Sequence, residues 1–168
     1  DELKGLSGEG LKDKISNLYA PLQHITFTST NLDNFVEFYV EKLGFKISDK
    51  VINKTGQLTT CFMRSNQEHH TVACFLSNKS GLDHYSFEAG TWEWIKNWCD
   101  HFSKLNIQLI WGPGRHGPGN NLFAFIEDLD GNKIEISAEL EVIHDRQTKK
   151  WPHEPKTLNL WGNAIMRS

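Results

Sequence analysis

His24 and His84 each stand third in an L-x-H-x-x-F segment, Leu22-Gln23-His24-Ile25-Thr26-Phe27 and Leu82-Asp83-His84-Tyr85-Ser86-Phe87. The segments are offset by 84 − 24 = 60 residues. A single strand histidine is more often a satisfied core residue than a ligand, but two at repeat-equivalent places can face a shared centre. Glu135 sits between Ile134 and Ile136, so in a strand it faces the opposite side, together with Lys133 and Ser137. Two imidazoles and one carboxylate make the facial set that holds non-haem Fe(II) and leaves positions open; Mn(II) accepts the same donors.

Two further histidines are placed to do chemistry. His70 ends Glu68-His69-His70, just ahead of an apolar run, and His116 lies within Gly112-Pro113-Gly114-Arg115-His116-Gly117-Pro118-Gly119. A loop so rich in glycine and proline reads as the rim of a hairpin, with the apolar run 122–127 as its wall.

The elements that must position these residues are legible from periodicity. Alternation predicts a strand at 22–28, followed by Asn31 as a helix N-cap. Phe35, Phe38, Tyr39 and Leu43 then form a core-facing stripe that ends at Gly44. Strands are expected at 45–48, 58–63 and 71–76. The grammar repeats after 79, with a strand at 82–87, a capped helix over 91–105 and strands at 107–111, 122–127 and 133–137. Asp130-Gly131 supplies tight-turn chemistry before the last of these. The reading is α+β, with a leader or linker at 1–20 and βαβββ modules at 21–78 and 79–138. A tail at 139–168 is expected to pack back on the body, with Pro152 and Pro155 opposing a continuous helix. Leu11, Ile15 and Leu18 have the spacing of a short docking helix.

Composition narrows the partners. With 18 basic against 21 acidic residues among 168, and a formal charge of −3, nothing favours nucleic acid or an anionic membrane. Three cysteines without a C-x-x-C pair point to buried thiols in a reduced, cytoplasmic protein. There is no apolar run long enough for a membrane span, and the first residues are too polar for a signal peptide.

Five stretches together carry a family resemblance: LQHITFT around His24, EHHTVA at 68–73, LDHYSF at 82–87, GPGRHG at 112–117 and DLDGNKIE at 128–135. In order and spacing they resemble the vicinal oxygen chelate superfamily, and within it the catalytic half of type I extradiol catechol dioxygenases of the 2,3-dihydroxybiphenyl or homoprotocatechuate kind. The resemblance spans about residues 20–162.

That resemblance implies a half-barrel of two βαβββ modules. It assigns His24, His84 and Glu135 as ligands of Fe(II), with Mn(II) possible. His70 is then the acid–base residue, and His116 hydrogen-bonds the substrate oxygen. Phe125, Phe62, Thr26, Trp111, Trp151 and His153 are expected around the substrate, an aromatic vicinal diol that is opened beside its hydroxyls with O2. Lys149 and Lys150 are candidates to close the cavity or to meet an acidic substituent. The family pattern has tyrosine nine residues after the loop histidine, and here 116 + 9 = 125 is Phe125. Asp128-Leu129 likewise replaces Asp-Pro. The two-domain form carries a further N-terminal half, which this chain is expected to lack by trimming or by being a single-domain member. Unpaired sheet edges favour a homo-oligomer. Two other activities share the fold: a glyoxalase, or a thiol transferase resembling fosfomycin-resistance proteins with Mn(II). A metal-free binding module is the third reading.

Overall fold

The computed structural model describes residues 18 and 20–166. The helix expected around Leu11 and Ile15 lies outside them. Strand β1 (Leu22–Ser29) sends Phe27 to one face, against Phe35, and His24 and Thr26 to the other, where both are buried. Asn31 caps α1 (Leu32–Glu37) by accepting from the Asn34 N–H at 3.1 Å. The helix then widens into a π-helical turn (Phe38–Lys42) that ends before Gly44 at φ +73°. This widening corrects the expected stripe: Phe35 and Tyr39 pack on the sheet, whereas Phe38 and Leu43 are each 53% exposed.

Strands β2 (Lys46–Ile52), β3 (Leu58–Arg64) and β4 (Val72–Leu76) complete the first unit. The second runs through β5 (Gly81–Gly90), α2 (Trp92–Lys104), β6 (Trp111–Arg115), β7 (Leu122–Glu127) and β8 (Lys133–Ala138). The fold is mixed α+β. With a last strand β9 (Lys149–Pro152), one nine-stranded sheet has the order β6-β7-β8-β5-β1-β4-β3-β2-β9, so β1 and β5 meet antiparallel at its middle and the two units flank them. Each helix covers the outer face of its own unit. Ile95 and Phe102 of α2 pack with Ala124, Ile126 and Ile136, and Leu32 and Val36 of α1 pack with Cys61, Met63 and Cys74. Period-two alternation therefore leaves Thr60, Phe62, Ala73, Phe75, His84, Phe123, Phe125 and Glu135 for the inner face. Phe62 of β3 and Trp111 of β6, from opposite flanks of the sheet, line a common cavity, so the sheet curls around it.

Strand β6 begins where 107–111 was expected to end. Gly112 and Gly114, which read as loop, belong to β6 and press onto β7, in register Trp111↔Phe125 and Gly114↔Phe123. Gly112 has φ +91°, and a Cβ there would lie 2.7 Å from the Phe123 carbonyl oxygen. The tail adds a strand that periodicity did not reveal. Strand β9 (Lys149–Pro152) runs parallel to β2, and α3 (Pro155–Leu158) follows with Pro155 in its first turn. Cys61 and Cys74 are buried free thiols whose pKa burial pushes up to about 12, and Cys99 is free as well. No helix among the described residues is long and apolar enough to cross a membrane.

Candidate metal centre

His24, His84 and Glu135 converge because their strands do. In the sheet β1 neighbours β5 and β5 neighbours β8, and each of the three side chains takes an inward position. His24 Nε2 is 3.0 Å and His84 Nε2 3.3 Å from Glu135 Oε2. One donor atom from each residue lies within 4.8 Å of the other two, and all three residues are buried. Cis ligands on an octahedral ion with bonds of about 2.1 Å sit about 3 Å apart, so the spacing fits one divalent cation.

The outward nitrogens of both histidines face the residues before them, His24 Nδ1 in a hydrogen bond and His84 Nδ1 at ion-pair distance. Gln23 Oε1 is 3.2 Å from His24 Nδ1, and Asp83 Oδ2 is 3.5 Å from His84 Nδ1. This is the support that metal-binding imidazoles need to keep Nε2 pointed at an ion. Glu135 Oε1 accepts from Asn121 Nδ2 at 3.1 Å and lies 3.5 Å from His116 Nε2. Asn121 also donates to Ser137 Oγ at 2.9 Å.

Burial raises the Glu135 carboxyl, but the His24 charge and hydrogen bonds from His116, His24 and His84 overcome it and hold the group well below the usual range. His24 is lowered by burial against the opposing pull of Glu135. Burial lowers His84 as well, yet its contacts with Asp83 and Glu135 leave it raised. His70 is pushed well below its ordinary value by burial and by His24 and His69, which favours the neutral imidazole.

Around this centre lies a cavity lined by Thr26, Phe62, Phe75, Trp111, Pro118, Phe125 and Leu158 together with His24, His70, His84, His116 and Glu135. The His70 ring is 4.2 Å from that of His24, centroid to centroid. His116 stacks on Phe123 at 3.9 Å, and its Nδ1 donates to the Leu158 carbonyl. The tail thus fixes the loop histidine. Gly117 permits this, since a Cβ there would come 2.8 Å from the Thr157 carbonyl oxygen.

Phe62, Thr26, Trp111 and Phe125 line the cavity, but Trp151 and His153 do not. Trp151 donates to Asp49 Oδ2 at 2.7 Å and packs on Val51, Phe62 and Ala73, so it supports Phe62 from outside. His153 Nδ1 lies 2.8 Å from Thr59 Oγ1 and lines a separate, smaller cavity. Lys149 and Lys150 are exposed on β9. Sequence reasoning missed Asn121, Asp83 and Gln23 as supports. The two that precede the histidines could have been found, because the repeat places a polar side chain before each one.

The symmetry also shows what is missing. Ser86 pairs with Glu135 in parallel β5 and β8, and Thr26, which is 60 residues earlier, pairs with Ala73 in parallel β1 and β4. The counterpart of Glu135 in the first unit is therefore Ala73, which offers no ligand atom.

Residues 22–136 match the family model described as Glyoxalase/Bleomycin resistance protein/Dioxygenase superfamily. The chain belongs to that superfamily. Among its relatives, metapyrocatechase 2 of Cupriavidus necator is 24% identical over 131 residues, covering 78% of this chain and 39% of that protein. A probable lactoylglutathione lyase of Synechocystis sp. is 28% identical over 121 residues, 68% of this chain and 92% of the relative. Two solved structures place both branches close by. The Mn(II)-bound glyoxalase from Novosphingobium aromaticivorans superposes with TM-score 0.77 at 28% identity, covering 87% of this chain and 47% of the other. An extradiol ring-cleaving dioxygenase from B. fuscum superposes with TM-score 0.81 at 25% identity, covering 94% and 46%. This superfamily chain thus spans less than half the length of metapyrocatechase 2 and of both structures.

Proposed function

We propose that the chain carries the metal-binding catalytic unit of an extradiol ring-cleaving dioxygenase, with Fe(II), or Mn(II) in its place, held by His24, His84 and Glu135. The observation that carries this reading is the three-ligand centre with an open fourth side at Ala73, facing an apolar cavity that also holds two further imidazoles. When bound, the ion would supply the charge that makes a diol hydroxyl acidic and a redox path between diol and dioxygen.

The chain's own residues do the rest. Phe62, Phe75, Trp111 and Phe125 make a slot for an aromatic ring and exclude water from it. The neutral His70 imidazole takes a hydroxyl proton and returns it at the end of the reaction. His116, steadied by Phe123 and the Leu158 carbonyl, offers Nε2 to the substrate oxygen. Among the described residues the cavity wall contains no lysine or arginine, which favours a diol without an acidic substituent.

The Synechocystis relative supports a second reading, a glyoxalase-type isomerase. A glutathione conjugate carries two carboxylates, and a cavity wall without lysine or arginine offers them no cation.

The decisive experiment is anaerobic loading with Fe(II) or Mn(II), followed by air and a panel of catechols. A yellow ring-opened product with one O2 consumed per diol is expected. Absence of oxygen uptake with every diol, together with turnover of a hemithioacetal, would replace the first reading by the second.

A further inference from the structure

Behind His70 lies a buried chain of polar groups that the centre itself does not use. His69 Nδ1 is 2.9 Å from His70 Nδ1, and His69 Nε2 is 3.1 Å from Asp49 Oδ2, somewhat off the line of its N–H bond. Asp49 and His69 are both fully buried. The tail holds the far end. Arg146 Nη1 donates to Asp49 Oδ1 at 2.9 Å and Trp151 Nε1 to Oδ2 at 2.7 Å, while Glu141 grips the same guanidinium through two contacts of 2.7 Å.

Two Nδ1 atoms at hydrogen-bond distance share one proton, and the surroundings decide who carries it. Asp49, ionised and surrounded by donors, can only accept, so His69 carries its hydrogen on Nε2. Asp49 already accepts from Arg146 and Trp151, and a cation on the fully buried His69 would forfeit its hydration. A neutral His69 with hydrogen on Nε2 has a bare Nδ1, which must accept from Nδ1–H of His70.

We propose that Asp49 and His69 are positioning residues that lock His70 in the tautomer with hydrogen on Nδ1, leaving the Nε2 lone pair on the cavity side. The docked tail fixes the Asp49 carboxylate from its far side through Arg146. What the lone pair is for rests on the dioxygenase reading; the tautomer itself does not.

The test uses the full chain, labelled with 15N-histidine and loaded with diamagnetic Zn(II). Nitrogen–proton correlation spectra should show His70 with a protonated Nδ1 and a bare Nε2. In Asp49→Asn and in His69→Phe the two His70 nitrogens should move toward averaged shifts. With metal content unchanged, kcat for diol cleavage should fall about tenfold or more while KM stays within about twofold. Trp151→Phe removes a donor but leaves His69 its acceptor, so it should keep the tautomer. A wild-type His70 with hydrogen on Nε2, or averaging in Trp151→Phe as complete as in Asp49→Asn, overturns the proposal. If Asp49→Asn does not fold, His69→Phe and Trp151→Phe decide it by the same spectra. If no diol is cleaved, the dioxygenase reading fails while the spectra still decide the tautomer.

Discussion

The Phe125 ring meets the His84 imidazole nearly edge-on, with centroids 5.0 Å apart and planes at 81°. A phenol in place of that ring would bring a hydroxyl into a cavity wall that has none there. Phe125→Tyr should lower the melting temperature of the diol-free protein, because a buried unpaired hydroxyl costs about 1–3 kcal/mol. With a catechol bound, the hydroxyl gains a partner worth about 0.5–1.5 kcal/mol, so kcat/KM should rise about two- to tenfold. Thermal melts with and without diol, beside steady-state kinetics, check both halves. A loss of stability without a catalytic gain would mean that this ring does not touch the reacting oxygens.

Asp83 is buried and points its carboxylate at the outer nitrogen of His84. Asp83→Asn should weaken metal affinity by roughly 10–100-fold without unfolding the sheet. Competition against a calibrated chelator measures it. Unchanged affinity would remove His84 from the ligand set or Asp83 from its support.

Ala73→Glu places a second carboxylate at the symmetry mate of Glu135. The expected result is a closed, four-ligand centre: a larger rise in melting temperature on adding Mn(II), and oxygen uptake reduced at least tenfold. In the absence of metal the variant should be less stable than the parent, since the added charge is buried. Metal analysis with oxygen electrode traces tests this. Full activity at unchanged metal content would show that the open side is elsewhere.

The Asp49 cluster predicts a pH effect on stability. Burial raises the Asp49 carboxyl, but His69, Trp151 and Arg146 outweigh it and leave the pKa below its ordinary 3.8. A depressed carboxyl pKa stabilises the fold above the unfolded value, and that contribution disappears as pH falls through the folded one. Denaturant midpoints should therefore drop as pH falls below about 4, and Asp49→Asn should flatten this part of the profile. An equally steep profile in the variant would place the acid-sensitive contact at another carboxylate.

The centre was readable because it is built by strands that repeat. Alternation gave the faces of β1, β5 and β8, and the offset of 60 residues paired His24 with His84 before any contact was known. The Asp49–His69 contact was not readable, since β2 is bulged between Ile47 and Asp49 and the donors to Asp49 lie about 100 residues later in the chain. Strand β9 was hidden for a related reason. Four residues with two lysines acquire strand character only from β2 beside them. Likewise, nothing in the spacing of Phe38 and Leu43 foretold the π-helical turn that exposes them.

The seam between β1 and β5 would give a bound ion a mechanical part as well. Ser77 to Ser80 join the two units in the central part of the chain, and the proposed ligands come from both sides of that link, His24 from one and His84 with Glu135 from the other. An ion in that position is a clasp. Cut the chain at Lys79 and two pieces result, rejoined by the β1–β5 ladder and by β9 on β2 but neither with the full set of His24, His84 and Glu135, so a divalent cation should tighten their reunion and a chelator loosen it.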